Sequence, residues 1–249
     1  MSSSAGSSAR PSRRRPAVPT DSGGLFGRLD ALAGGWTDDA LAHAVASGRT
    51  VRIKRGVFAL ATECGDRGPD ALRQANLRLA RATARLCTRA VLSHASSAIA
   101  YDLPTVCALD RPCLTVPAGT ALRRLSQVHL HRATLAAQDV TSVGGLPATG
   151  PARTVLALAR EHGVDAGVAA ADAALHLGRT SLTALEHALG QCAGWPGRAA
   201  AGKTVRLCDG RAESALESLS RLRLARFAVP PPEPQVELGD EWGRFVGRA

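Results

Sequence analysis

The sequence predicts an α+β protein, and three observations carry that prediction. Apolar residues recur at helical spacing in several segments. Short extended runs such as Thr50–Leu60, Leu114–Val116 and Val128–His131 lie between them, and clusters of Gly, Pro and Asp separate the two kinds. The chain of 249 residues is 45% hydrophobic and 21% charged, enough apolar material to bury one large or two small cores.

Residues 1–22 are rich in Ser, Arg and Pro and include Arg13-Arg14-Arg15, without an apolar stretch. They read as a disordered basic tail rather than a secretory signal. Leu25, Phe26, Leu29 and Leu32 then suggest a first helix, ended by Gly34-Gly35. Thr37 is placed to cap a second helix, with Asp38 and Asp39 in its first turn and Leu41, Ala44 and Val45 on its apolar face. Thr50–Leu60 follows as two strands around Gly56. Helix, turn, helix and basic hairpin is the order of a winged helix-turn-helix, assigned to residues 23–62.

A polar break at 61–70 precedes a helix from Pro69 to Thr88 carrying Arg73, Arg78, Arg81 and Arg85. A short helix from Ser93 to Tyr101 comes next, then extended stretches at Leu114–Val116, Val128–His131 and Asp139–Val143. Pro151–Glu161, Val164–Leu177 and Ser181–Cys192 read as helices, so residues 69–195 form an α+β middle domain. Ala199–Cys208 is helical, and Glu213–Ala228 is a longer helix with Leu216, Leu219, Leu222 and Leu224 mostly on one side. A hairpin of Gln235–Leu238 with Arg244–Val246 ends the chain. With little to pack against, residues 230–249 are expected to be poorly ordered and open to protease.

Composition narrows the function. Aromatics are only 3%, which argues against a base-stacking surface. The net charge of +10 points towards a polyanionic partner. Twenty-nine arginines against two lysines, Lys54 and Lys203, also reflect GC-rich coding, which weakens that pointer. No apolar run is long enough to span a membrane. The six cysteines lack CxxC spacing, so neither a zinc site nor a disulfide framework is expected, and the compartment reads as cytoplasmic.

Four motifs could carry chemistry. Gly197–Thr204 satisfies the P-loop pattern, but a helix precedes it instead of a buried strand, and its Arg-Ala-Ala-Ala interior suits a helix. His129 and His131 share a strand face at ligand-like spacing, yet no acid or thiol stands near them in sequence. They read as structural or solvent-facing, with no metal. Ser93-His94 reads as an N-cap pair, because adjacent residues seldom face one another. Arg49, Arg52, Lys54 and Arg55 put four cations over seven residues on the hairpin, suited to DNA phosphates; a solvated sheet edge is the plainer alternative. The second helix offers only Thr37 and His43 as polar readers of bases and carries two acids, so base readout from it looks weak.

Several of these stretches resemble the AbiEi family of type IV antitoxin transcriptional regulators. They are Val51-Arg-Ile-Lys-Arg-Gly-Val-Phe-Ala-Leu60, Val91-Leu-Ser-His-Ala-Ser-Ser-Ala98 with Leu103-Pro104, Leu114-Thr-Val-Pro117, Val128-His-Leu-His-Arg132, and Gly145-Leu-Pro-Ala-Thr149 leading into Pro151-Ala-Arg-Thr154. The resemblance spans about residues 25–190. It implies a regulator of its own operon, with double-stranded DNA and a nucleotidyltransferase-like toxin as partners, no cofactor and no enzymatic activity. The tail, Glu213–Ser218 with Pro231–Val236, is similar to the start of a very-short-patch-repair-like endonuclease domain, so 210–249 is taken as an incomplete restriction-endonuclease-like segment. That resemblance makes Glu217, or else Glu213, the helix acid of a Mg²⁺ site. The sequence ends at Ala249 before a strand Asp and an acid-x-Lys pair, which leaves a Mg²⁺-dependent endonuclease, or a remnant of one, as the alternative function.

Overall fold

A computed structural model describes residues 20–21, 23–64, 70–87, 89–120, 127–227 and 237–248. Most of the tail 1–22 and the stretch 228–236 lie outside them, as does Pro69. The chain divides into two units, 1–65 and 66–249.

The first unit runs β1 (Leu25–Gly27), α1 (Arg28–Ala33), α2 (Asp38–Ala46), β2 (Thr50–Lys54) and β3 (Val57–Leu60), with a 3₁₀ turn at Ala61–Cys64. Its strands form an antiparallel sheet in the order β1-β3-β2. Leu25 and Phe26, expected on the first helix, belong to β1. Phe26 pairs with Phe58 and stacks on its ring at 5.8 Å. The helix begins only at Arg28, where the Asp30 carboxylate accepts the Gly27 amide at 2.7 Å, and Leu29 is 74% exposed. Phe26, Ala31, Leu41 and Phe58 form the core. Thr37 caps α2 as expected, its hydroxyl accepting the Ala40 amide at 3.1 Å.

The second unit begins with α3 (Ala71–Leu86), β4 (Val91–Leu92), α4 (His94–Ala100), β5 (Cys113–Val116) and β6 (His129–Arg132). A 3₁₀ turn (Ala137–Asp139), β7 (Val140–Val143) and β8 (Leu146–Thr149) follow. Five helices come next: α5 (Pro151–His162), α6 (Val164–His176), α7 (Leu182–Gln191), α8 (Arg198–Leu207) and α9 (Ala215–Arg226). β4 and β8 were not anticipated. Gly144 and Gly145 both have positive φ and turn the β7–β8 hairpin, a conformation that residues with a Cβ rarely adopt.

The sheet order is β6-β5-β4-β8-β7, with β5–β6 and β4–β8 parallel and the other pairs antiparallel. Strand alternation gives it two buried faces. Leu114 and Val116 pack with Ala80 and Ala84 of α3, while Cys113 joins the larger core built from α4 to α8. Alanines make α6 narrow, and Ala166, Ala169, Ala170, Ala171 and Ala174 are all buried. At Gly167 a Cβ would lie 2.4 Å from Thr204 Oγ1 and 2.5 Å from Ala159 Cβ, so only glycine permits α5, α6 and α8 to come this close.

Gly197–Thr204 opens helix α8, in keeping with the rejection of a phosphate loop. The region read as a separate segment from residue 210 includes α9, which docks on α6 within the second unit. The α9 leucines do not share one face: Leu222 is buried with Ser218, whereas Leu216 and Leu224 point outward. The expected hairpin is present as β9 (Glu237–Gly239) with β10 (Phe245–Arg248), and Trp242, Phe245 and Val246 are exposed. No helix among the described residues is long and apolar enough to cross a membrane.

Candidate functional site

In the first unit the predicted DNA-contacting residues lie at the N-cap and on the face of α2, in the loop before β2 and on the β2–β3 hairpin. Arg52 and Arg55 are exposed, and the Arg52 guanidinium sits 5.7 Å over the Phe58 ring. Lys54 is half-buried, and that burial lowers its ammonium pKa. Arg49 is tethered, its Nε donating to Ser47 Oγ at 3.0 Å. Among the described residues no carboxylate pairs with any of these four. His43 is exposed on α2, while the Thr37 hydroxyl is committed to its cap. Asp38, one of the two acids that counted against this helix, is bound by Arg28 through bonds of 2.7 and 2.5 Å. Those hydrogen bonds hold its carboxyl below the ordinary range and offset its charge.

In the second unit the fold assembles a cluster that sequence reading missed. The parallel register of β5 and β6 sets His129 beside Cys113 and His131 beside Thr115, with both histidines on one face. Onto that face α4 brings His94, and the last turn of α5 brings Glu161 and His162. Glu161 Oε2 lies 3.5 Å from His94 Nε2, 3.7 Å from His131 Nε2 and 3.9 Å from His162 Nε2; its Oε1 lies 3.3 Å from His129 Nδ1. The acid missing from the sequence neighbourhood of His129 and His131 is Glu161, which the fold brings from α5.

His94 begins α4 at φ 48, a left-handed backbone uncommon outside glycine. Ser93 occupies the N-cap position, but its hydroxyl makes no cap bond and meets His94 Nδ1 at 3.1 Å, so these neighbours do face one another. Burial pushes the His94 imidazole pKa down to about 2, and the positive charge of nearby His131 and Arg160 adds to the effect. Burial also lowers His131, against the raising pull of Glu161. The donor atoms of His94, His131 and Glu161 all lie within 4.8 Å of one another, as do those of Cys113, His129 and His131. Burial, reinforced by Glu161, raises the Cys113 thiol to about 12. His94 and His131 also line a cleft of about 660 Å³, where Arg153 and Arg160 lie over the Trp195 ring.

Glu213 and Glu217, the acids expected to hold Mg²⁺, lie at the start of α9. Glu217 sits at the capped start of α9: Ser214 Oγ accepts the Glu217 amide and donates to Glu217 Oε1 at 2.7 Å, while Oε2 accepts the Glu213 amide. Glu213 is exposed.

Two uncharacterized proteins of Mycobacterium tuberculosis, Rv2248 of strain H37Rv and MT2308 of strain CDC 1551, are each 36% identical to this chain over 103 residues. The match covers 41% of this chain, which spans only 38% of the length of either relative. A crystal structure of the RV2827C protein from M. tuberculosis superposes over 88% of this chain and 78% of its own, with a TM-score of 0.48 and 17% identity. Residues 99–205, from the end of α4 through most of α8, match the family described as the AbiEi antitoxin C-terminal domain.

Proposed function

We propose that this protein is a DNA-binding transcriptional regulator of the antitoxin type, whose first unit contacts its own operator. The match of residues 99–205 to an antitoxin domain carries the reading. The sheet order β1-β3-β2 beside α1 and α2 supports a winged helix-turn-helix in residues 23–62, with β2–β3 as the wing. Arg49, Arg52, Lys54 and Arg55 neutralise backbone phosphates there, and His43 is an exposed, non-acidic polar side chain on α2. The second unit serves autoregulation or dimerisation, and a nucleotidyltransferase-like toxin is the partner that the family resemblance implies.

A salt titration of binding to the DNA upstream of the gene tests the first part. Replacing Arg52, Lys54 and Arg55 together by Ala flattens the slope of log K against log salt by about 2–3. An unchanged slope removes the hairpin from the interface.

A further inference from the structure

We infer that His94, His131 and Glu161 form a site for a divalent transition-metal ion, with zinc as the representative occupant. The inference does not rest on the DNA-binding reading, because every residue in it belongs to the second unit. Three observations converge.

First, two of the three donors are unsatisfied. His131 Nε2 and Glu161 Oε2 are both buried and have no hydrogen-bond partner. Buried polar atoms are almost always paired, and a buried carboxylate oxygen without a donor is costly. An ion at the meeting point of these atoms removes that cost for both at once.

Second, the separations suit ligands around an ion. Zinc bonds of about 2.0–2.1 Å in a tetrahedron place neighbouring ligand atoms about 3.3–3.4 Å apart. His94 Nε2 and His131 Nε2 stand 3.5 and 3.7 Å from Glu161 Oε2, too far for good hydrogen bonds and close to a ligand edge. The His94 and His131 rings stack at 3.7 Å with 16° between their planes, so sharing one ion turns one ring about its Cβ–Cγ bond. That torsion is soft for an imidazole.

Third, the surroundings orient the ligands. Ser93 Oγ engages His94 Nδ1 and leaves Nε2 directed at Glu161, the arrangement that holds a histidine ligand in place. Glu161 sits in the last turn of α5, where the helix dipole disfavours a carboxylate and a cation restores the balance. His94 and His131 border the cleft, which provides a path of entry. Nitrogen and carboxylate donors together suit zinc and its first-row neighbours. The ion would tie edge strand β6 to α4 and α5.

The test uses the full chain, reduced and stripped with a chelator, titrated with zinc in a calorimeter. One equivalent binds to the parent chain, and Glu161→Gln and His131→Ala each weaken binding at least tenfold while circular dichroism stays unchanged. Glu161→Gln is nearly isosteric and keeps the test valid if His131→Ala fails to fold. X-ray absorption of the loaded parent shows nitrogen and oxygen neighbours only. No zinc binding, undiminished binding in Glu161→Gln, or sulfur in the first shell would each overturn the assignment; the last two place the ion on other groups such as the cysteines.

Discussion

Arg221 of α9 and Asp172 of α6 form an ion pair at 2.8 Å in which the aspartate side chain is 1% exposed. The other Asp172 oxygen accepts the Asp209 amide at 2.6 Å, and Arg221 also donates to the Leu207 carbonyl. Three segments that are distant in sequence thus meet on one carboxylate. This pair, the Arg226–Asp165 ion pair and the buried Ser218 and Leu222 join α9 to α6.

Breaking that pair gives a stability prediction with a definite pH dependence. Burial raises the Asp172 carboxyl above its ordinary range, outweighing the lowering pull of the Asp209 amide, Ser218 and Arg221. A raised acid means that the folded state binds the proton more readily than the unfolded chain, so its contribution is most favourable at low pH and declines as pH rises through the shifted window. Arg221→Met strands the carboxylate and costs about 3–5 kcal/mol at pH 7. Urea denaturation across pH 7 to 4.5 will show the gap to the parent narrowing on acidification. Arg221→Met combined with Asp172→Asn recovers part of the loss.

The two glycines inside helices α6 and α7 respond oppositely to a methyl group. Gly167→Ala forces a Cβ against Thr204 and Ala159 and destabilises by about 1–3 kcal/mol. At Gly190 nothing lies within 4 Å of the added atom, so Gly190→Ala stabilises by up to about 1 kcal/mol through helix propensity. Thermal melts of the two variants should move in opposite directions.

Glu217 and Ser214 bond each other at the start of α9. Ser214→Ala and Glu217→Ala each cost about 1 kcal/mol in denaturant unfolding, and Mg²⁺ changes neither value. A magnesium-dependent rise in stability that disappears in Glu217→Ala would return this residue to metal chemistry.

Beneath the sheet, Ser96 is part of a buried polar chain. Its hydroxyl donates to Asn76 Oδ1 at 2.7 Å and accepts the Cys113 amide at 2.9 Å, while the Asn76 amide donates to the Leu109 carbonyl. Ser96→Ala leaves both partners unsatisfied and should cost about 1–3 kcal/mol. An unfolding midpoint equal to that of the parent would show that the network relaxes around the change.

Local signals determined most helices and the β2–β3 and β9–β10 hairpins. The Thr37 cap, Pro151 at the start of α5 and the alternation around Gly56 place elements where the structure has them, because capping and periodicity are properties of neighbouring residues. The strands β1, β4 and β8 were hidden for the complementary reason. Two to four residues contain too little period to distinguish strand from helix, and Leu25 and Phe26 become a strand only because Phe58 and Ala59 offer a partner. The histidine–glutamate cluster was least legible of all. His129 and His131 could be seen to share a face, but His94 and Glu161 reach them only through the β5–β6 register and the docking of α4 and α5. Those placements are set by burial of distant apolar surface, which no window of neighbouring residues records.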